Sequence, residues 1–238
     1  MRFFLLTAFP EIFHGPFSES IIRRAVKRGI VEINYIYLRS FADDRHGTID
    51  DVEFGGSSGM VYKAEPIFKA CETVRRQFAL EKTRIVMPSA RGRQFRQETA
   101  AEFALESDLI FICGHYKDID YRVVEHLVTD EISLGDFVIT GGELATAVMM
   151  DAIIRLLPQV VGNRDSVESD SFQNGLLDCP RYTRPVEYRG WMAPEVLLSG
   201  HHQAIREWRR QKSMELTQCQ RPDLWEAWQQ KNVNNQEA

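Results

Sequence analysis

The order of short apolar runs and helix-like stretches is the feature that most constrains the fold. Three runs rich in large apolar and β-branched residues, Arg2–Ala8, Arg84–Met87 and Leu109–Cys113, are predicted to be buried strands. Each is followed by turn-forming or polar residues and then by a helix-like stretch. Ile21–Lys27 and Gln97–Leu105 place their apolar residues at helical spacing. Strands that alternate with helices predict an α/β fold with a mainly parallel sheet.

A long apolar helix marks the end of this alternating part. It is predicted over Glu143–Leu157, opened by two glycines and closed by Pro158. Shortly after this helix, the ten residues 162–171 are polar and loop-like. The domain boundary is therefore predicted there. The predicted organisation is an α/β domain over 1–161, a flexible linker over 162–174 and a small helical domain over 175–238.

The last part of the chain is predicted to be rich in helices. Pro194–Leu198 and Gln203–Leu216 have helical patterns, and Gln229–Ala238 is a Gln- and Asn-rich tail that we expect to fray.

Composition excludes several classes of protein. No apolar run approaches the roughly 20 residues of a membrane span, and Pro10-Glu11 interrupts the apolar start as no signal peptide would. The four cysteines form no Cys-x-x-Cys pair, so neither a zinc ribbon nor a disulfide framework is indicated, and a reducing cytosol fits. The net charge of −5 argues against a general nucleic-acid binder but leaves room for a local basic face.

Three glycine-bearing segments are candidates for ligand binding. Ser89–Arg93, Gly114–Lys117 and Ser133–Gly142 follow predicted strands, and loops at strand ends are where α/β sheets bind ligands. Tight turns explain the glycines equally well. The chain has no Gly-x-Gly-x-x-Gly after its first strand and no Gly-Lys-Ser/Thr, so a dinucleotide fold and a phosphate loop are disfavoured. A fourth segment, Phe54–Met60, is interpreted on its own as a mobile surface loop.

Few charged residues stand out as candidates on their own. Asp170 in the linker is typical of a solvated residue or a helix cap, and Arg155 is typical of an arginine near a helix end. His201 and His202 are adjacent, so their side chains diverge and make a poor metal pair. The basic segment from His201 to Pro222 fits either an amphipathic helix with a solvated face or a contact with an RNA backbone.

Ordered motifs over nearly the whole chain resemble one known family. The most specific are Asp170-Ser171-Phe172 followed by Gly175 through Pro185, and Leu198-Ser199-Gly200-His201-His202. Asp50 through Met60 resembles Asp-Asp-x-Pro-Tyr-Gly-Gly-Gly-x-Gly-Met. Further matches are Phe9–Phe13, Ile112–Tyr116, Glu131–Asp136, Gly141–Leu144 and Ile205–Arg209. The chain resembles the bacterial tRNA (guanine-N1)-methyltransferases, which belong to the knotted class of S-adenosylmethionine-dependent enzymes.

The resemblance implies an architecture that ordinary topology rules would exclude. It implies a trefoil-knotted α/β domain with a mainly parallel sheet, helices on both faces and a small α-helical C-terminal domain. Three knot loops would bind S-adenosylmethionine, and Mg²⁺ is allowed as a further cofactor although the sequence shows no cage of metal ligands. The partners would be tRNA and a second copy of the chain, in a cytoplasmic homodimer with its active sites at the interface and no membrane contact.

The resemblance also assigns roles to individual residues. Asp170 would accept the N1 proton of the guanine 3′ of the anticodon, and Arg155 would stabilise the negative charge that builds at O6. The implied cofactor-binding residues are Met87, Ser89, Gly92, Gly114, His115, Tyr116, Ser133, Leu134, Gly135, Phe137, Ile139, Gly141 and Gly142. The implied substrate-binding residues are His46, Asp50, Gly59, Ser199, His201 and Arg209.

Two stretches depart from the family pattern. Where the family has Ser-Pro-Gln-Gly-Arg, this chain has Ser89-Ala90-Arg91-Gly92-Arg93. Where the family has Arg-Tyr-Glu-Gly, this chain has His115 through Asp118. Lys117 stands where the family has a glutamate that helps to hold the target guanine. Because of this change, one alternative is a tRNA-binding protein that has lost catalysis. The presence of Asp170 and Arg155 argues against this alternative. The other alternative is a related knotted methyltransferase acting on a ribose hydroxyl or on rRNA; those enzymes typically lack this linker and C-terminal domain.

Overall fold

A five-stranded parallel sheet organises the first part of the chain. The structure, a computed structural model, describes residues 1–56, 59–115, 117–162 and 169–234. The chain divides into two units, Met1–Gly162 and Asn163–Ala238. The sheet lies in the first unit, and all its neighbouring strands are parallel. In spatial order its strands are β2 (Glu32–Tyr37), β1 (Arg2–Thr7), β6 (Asp108–Ile112), β5 (Arg84–Gln94) and β8 (Asp130–Ser133).

The remaining elements of the first unit are six helices, two short 3₁₀ helices and a small second sheet. The helices are α1 (His14–Phe17), α2 (Ser20–Lys27), α3 (Ala64–Phe78), α4 (Gln97–Phe103), α5 (Tyr121–His126) and α6 (Gly142–Ile154). The 3₁₀ helices are Pro10–Phe13 and Leu38–Phe41. The second sheet has the order β3 (Asp50–Val52), β4 (Met60–Tyr62), β7 (Asp118–Ile119), with β3 antiparallel and β7 parallel to β4.

Helices cover both faces of the central sheet. Successive side chains of a strand point to opposite faces, so Phe3 and Leu5 of β1 pack with α2, α4 and α6. Phe4 and Leu6 pack on the other face with α3 and α5. Burial of each of these side chains stabilises the fold by roughly 1.5–3 kcal/mol. The prediction of an α/β fold with a mainly parallel sheet is confirmed.

Strand β5 is longer than the predicted Arg84–Met87, since it continues to Gln94. Both Pro88 and Arg93 are in register with Ile132 of β8, so the residues between them form an irregularity in the ladder. Gly92 makes this possible, because a Cβ there would lie 2.3 Å from the backbone nitrogen of Ile132. Part of the segment predicted as a loop therefore belongs to the sheet.

The apolar helix α6 ends at Ile154, three residues before the predicted end at Leu157. The amide of Arg155 still donates to the carbonyl of Asp151, but the amide of Leu157 donates to the carbonyl of Ile154. This change to i−3 bonding tightens the last turn. Pro158 disfavours the α conformation at the residue before it, which explains the early end.

The described residues of the second unit, 169–234, contain a short hairpin and three helices. The hairpin is formed by β9 (Glu187–Tyr188) and β10 (Trp191–Met192), and the helices are α7 (Glu195–Leu198), α8 (His202–Gln220) and α9 (Pro222–Asn234). Helix α8 is longer than predicted at both ends. The expectation of a frayed tail from Gln229 is wrong up to Asn234, because α9 includes these residues. Pro222 at the first helical position and the stacked rings of Trp225 and Trp228, 5.2 Å apart, favour this helix.

A buried carboxylate on β8 makes the stability of the first unit depend on pH. Asp130 accepts hydrogen bonds from Arg84 at 2.7 and 3.0 Å and from Thr129 at 2.8 Å. Burial alone would raise the pKa of Asp130, but these bonds outweigh it and hold the pKa below its ordinary value. Because the folded pKa is the lower one, the stabilisation is present above the unfolded pKa of about 3.9 and is lost as pH falls through the folded pKa.

We expect Asp130→Asn to lower the free energy of unfolding by about 1.5–3 kcal/mol at neutral pH, since it removes hydrogen bonds to a charged group. The difference from the wild-type chain should shrink as the pH falls below about 4. Urea unfolding over this pH range measures both effects. Asp223→Asn, at an exposed position on α9, is the control. A difference that stays constant across the range would show that the Asp130 carboxylate is not the titrating group.

Candidate active site

A cavity of about 220 Å³ lies at the carboxyl ends of β5, β6 and β8. Residues 87–91, 114–115, 117–119 and 132–142 supply nearly all of its lining. The irregular middle part of β5 and the segments that follow β6 and β8 meet at this edge of the sheet, so three segments far apart in sequence converge here. These are the three glycine-bearing segments that the sequence singled out.

Most of the predicted cofactor-binding residues line this cavity. They are Met87, Ser89, Gly114, His115, Ser133, Leu134, Gly135, Phe137, Ile139, Gly141 and Gly142. Two others do not: Gly92 faces the backbone of β8 instead, and Tyr116 lies outside the described residues. The structure therefore brings eleven of the thirteen together around one space.

The glycines at the start of α6 allow two cavity walls to approach closely. The amide of Gly142 donates to the carbonyl of Gly114 at 2.6 Å, and His115 forms an isolated antiparallel bridge with Gly141. A Cβ on Gly141 would lie 2.3 Å from Nδ1 of His115 and 2.5 Å from a carboxylate oxygen of Glu143. A side chain at position 141 would therefore displace both groups.

A buried carboxylate stands behind this wall. Glu143 is 1% exposed and lies in the first turn of α6, where the helix dipole favours negative charge. Its Oε1 accepts a hydrogen bond from the hydroxyl of Thr7 at 2.9 Å, and its Oε2 lies 3.4 Å from Nδ1 of His115. The ring of Phe9 packs at 4.6 Å from the His115 ring, centroid to centroid. These contacts fix the orientation of a cavity-lining imidazole.

Sequence reasoning did not single out Glu143 or Thr7. The only signal for Glu143 was a carboxylate immediately after paired glycines, at the start of a helix whose other residues are mainly apolar. Such a carboxylate has to be paired when it is buried.

The two predicted catalytic residues lie in different units. Arg155 follows the last residue of α6 in the first unit. Asp170 belongs to the second unit and is half-buried, and its backbone carbonyl accepts a bond from the amide of Gln173. The residues after it fold back on themselves, because the amide of Phe172 donates to Leu176 and the hydroxyl of Ser171 accepts from the amide of Asp178.

The predicted substrate-binding residues of the first unit surround the small second sheet. His46 donates its amide to Asp44, and Asp50 begins β3. Gly59 has a φ of +124°, and a Cβ there would lie 3.2 Å from Lys117. Glycine suits this position because its backbone conformation is one that other residues rarely adopt.

In the second unit, His201 and Ser199 both take part in local capping. Nδ1 of His201 accepts from the amide of Ala204 and so caps α8, and the Ser199 hydroxyl donates to the carbonyl of Val196. Arg209 is exposed on α8.

Other chemistry finds little support among the described residues. They contain no group of three or more His, Cys, Asp or Glu side chains that could hold a metal ion. Burial raises the pKa of the Cys71 thiol to about 12, which suppresses its thiolate at neutral pH. Across the described part of the chain, no helix is both long enough and apolar enough to span a membrane.

Comparison with known proteins shows which family the chain belongs to. The sequence profile of the family described as tRNA (Guanine-1)-methyltransferase TrmD matches residues 1–227. A tRNA (guanine-N(1)-)-methyltransferase of Geobacter sulfurreducens is 51% identical over 224 residues, which are 94% of this chain and 91% of that protein. The protein of the same name from Pelotomaculum thermopropionicum is 50% identical over 94% of this chain and 89% of that protein. The one from Brevibacillus brevis is 47% identical over 95% of this chain and 92% of that protein.

The family profile matches nearly the full length of the chain, and the relatives are about 50% identical to it. The cavity is built from the three expected segments. The chain belongs to the tRNA (guanine-1)-methyltransferase family.

Proposed function

We propose that the protein transfers a methyl group from S-adenosylmethionine to N1 of the guanine 3′ of the tRNA anticodon, position 37. The observation that carries the proposal is the cavity at the carboxyl ends of β5, β6 and β8, in a chain that belongs to this family. We place the reaction in the cytoplasm, where the tRNA is processed.

The residues around the cavity fit S-adenosylmethionine. Glycines at positions 114 and 141 let the backbone approach a ligand closely, where an adenine or a ribose can hydrogen-bond to backbone groups that the bond between Gly142 and Gly114 leaves available. Leu134, Ile139 and Ile132 add apolar surface for a flat ring. When bound, this group supplies an electrophilic methyl on a sulfonium.

The protein's own groups would handle the proton and the charge of the guanine. N1 of guanine is a poor nucleophile while it is protonated, so Asp170 acts as a general base at N1–H. Negative charge then builds toward O6, where the guanidinium of Arg155 stabilises it. The target base has to leave its stack to be reached. The resemblance also allows for Mg²⁺, for which we propose no protein ligands.

Methyl transfer to defined RNA tests the reaction. Labelled S-adenosylmethionine is incubated with tRNA transcripts that carry either guanine or adenine 3′ of the anticodon. We expect transfer to the guanine transcript alone. Transfer to both transcripts, or to rRNA, would indicate a methyltransferase of another specificity. Binding of tRNA without any transfer would indicate a protein that has lost catalysis.

Helix α8 is the proposed contact with the tRNA backbone, together with Ser199 and His201. Arg206 and Arg209 are exposed on α8, one turn apart. Among the residues that the structure describes, carboxylates pair with Arg210 and Lys212, through Glu207 and Glu215, but with neither Arg206 nor Arg209. These two arginines are therefore the ones that can neutralise phosphates. On the first unit, we propose that His46, Asp50 and Gly59 contact the RNA near the target base.

We expect Arg206→Ala with Arg209→Ala to weaken tRNA binding and to flatten its salt dependence. Each lost phosphate contact reduces the slope of log affinity against log salt by about 0.7–0.9. Filter binding at several salt concentrations measures the slope, and Arg24→Ala on α2 is a control for loss of a surface charge. A slope equal to that of the wild-type chain would assign both arginines to solvent.

We further propose a homodimer with an active site at each interface. An exposed apolar surface supports it: Leu144 and Val148, one turn apart on α6, are 50% and 54% exposed, and Phe137 and Val138 are 58% and 93% exposed. Apolar side chains grouped in this way are typical of a surface that another chain covers. We also propose a trefoil knot around the cavity and three domains of the chain, 1–161, 162–174 and 175–238. The family membership supports both proposals.

Subunit mixing tests whether the site is shared. Two inactive proteins, Asp170→Ala and Gly141→Val, are combined and allowed to exchange chains. If the cofactor loops come from one chain and Asp170 from the other, one site of each mixed dimer is intact. Random exchange makes about half of the dimers mixed, so roughly a quarter of all sites should regain activity. Confirmed exchange of tagged chains without recovered methylation would contradict a shared site.

A further inference from the structure

One arginine in the cavity wall contacts residues of three other elements of the fold. Nη1 of Arg91 lies 2.8 Å from a carboxylate oxygen of Asp118, and Nε lies 3.3 Å from Oε1 of Glu131. The guanidinium carbon also stands 5.6 Å from the centre of the Tyr121 ring. The hydrogen bond to Asp118 raises the pKa of Arg91, so the guanidinium keeps its charge at neutral pH. Three contacts from three different elements hold this side chain in place.

Arg91 and Asp118 belong to opposite walls of the cavity. Arg91 lies in the irregular part of β5 and Asp118 begins β7, and both line the cavity. β7 has only two residues and pairs with β4 alone. Backbone contacts with Gly141 and Gly142 hold the 114–115 end of this wall, and side-chain contacts help to set the position of Asp118.

The residues of this wall are held from two sides. Nζ of Lys117 donates to Glu53 at 2.8 Å, whereas Asp118 accepts from Arg91. Adjacent residues of an extended segment point to opposite faces, which allows one ion pair on each side. All four residues differ from the family motifs, which have Pro at 53, Gln at 91, Glu at 117 and Gly at 118. The charged partners stand together at positions where the motifs carry no such pair.

We propose that Arg91 and Asp118 form an electrostatic clasp that holds residues 117–119 against β5, and that they act as positioning residues for S-adenosylmethionine. The inference rests on the proposed binding of S-adenosylmethionine in this cavity. The clasp closes the gap between two walls, so its loss lets residues 117–119 move away from β5 and lets the ligand leave faster. It contacts the binding loops rather than the reacting atoms, so it changes affinity and not the methyl-transfer step.

The expected effect is modest because both groups are partly solvated. The side chains of Arg91 and Asp118 are 49% and 37% exposed, and exposed pairs are worth little unless they belong to a network. The contacts with Glu131 and Tyr121 make this pair part of one. We therefore expect a two- to five-fold change in affinity, the upper part of the range for such pairs.

A double-mutant cycle tests the clasp. Arg91→Gln, Asp118→Asn and the double variant are titrated calorimetrically with S-adenosylmethionine at low and high ionic strength. Each single variant should raise Kd by about two- to five-fold, and the double variant should raise it no further than the singles. High salt should weaken binding to the wild-type chain more than to the double variant, because only the wild-type chain has the pair to screen. In methylation assays KM for S-adenosylmethionine should rise while kcat stays unchanged.

The matched control is Arg122→Gln. Arg122 pairs with Asp120 at 2.6 Å close by in sequence, but neither residue lines the cavity. This variant should bind as the wild-type chain does, and thermal unfolding of every variant checks that the fold is retained. Unchanged affinity in both single variants, or losses that simply add in the double variant, would overturn the clasp while leaving the proposed function intact. Failure of the wild-type chain to bind S-adenosylmethionine would overturn both.

Discussion

A Gly141→Val variant loses measurable binding of S-adenosylmethionine while its fold is retained. A Cβ at position 141 would lie 2.3 Å from Nδ1 of His115 and 2.5 Å from the carboxylate of Glu143, inside normal contact distance for both. The backbone there is extended, so a valine is not strained by its φ, and the loss comes from filled space. Valine brings three carbons into this occupied space, so Kd should rise beyond the range that calorimetry detects. Calorimetry on the protein without RNA measures it.

Gly15→Val is the control for Gly141→Val, because a Cβ on Gly15 would meet no atom within 4 Å. It should bind as the wild-type chain does. Gly141→Ala adds the Cβ alone and should show an intermediate loss. If Gly141→Val bound S-adenosylmethionine as tightly as the wild-type chain, the ligand would have to occupy a different place.

The largest expected effect on catalysis is that of Asp170→Asn. The amide keeps the shape of the carboxylate but cannot accept the N1 proton, and general base catalysis typically contributes about 10²–10⁴-fold to the rate. We therefore expect kcat to fall by about that factor across neutral pH, with Kd for S-adenosylmethionine almost unchanged. Single-turnover methylation with saturating tRNA measures the chemical step.

Asp223→Asn is the matched control for Asp170→Asn, since it changes an exposed aspartate of the same unit that pairs with Arg221. It should leave kcat unaltered. Near-normal turnover by Asp170→Asn would show that another group accepts the proton, and a parallel loss of cofactor affinity would show that the residue acts in binding.

Local patterns predicted three of the five strands of the central sheet, β1, β5 and β6. β1 and α2 differ from their predicted bounds by one residue, because an apolar run and helical spacing are properties of neighbouring residues. The extension of β5 was missed because it depends on a close approach between Gly92 and β8, about forty residues later. Helix α9 was missed because its Gln-rich composition concealed Leu224, Trp225 and Trp228, which share one face.

The candidate site was predictable to a similar extent. Glycine-bearing segments after strands indicated the three walls of the cavity, and the resemblance named their residues. The ion pairs and the buried Glu143 were not predictable, because they join residues distant in sequence. Arg91 and Asp118 are 27 positions apart, and Thr7 and Glu143 are 136 apart. Only the folded chain brings such partners together.

The most direct test of the account is to identify the methylated nucleoside and its position. The protein is incubated with S-adenosylmethionine and a tRNA transcript, the RNA is digested, and the fragments are analysed by mass spectrometry. The account predicts a single product, N1-methylguanosine, at the position 3′ of the anticodon, and none with Asp170→Asn. A methyl group on a ribose, on another atom of guanine or at another position of the tRNA would contradict it.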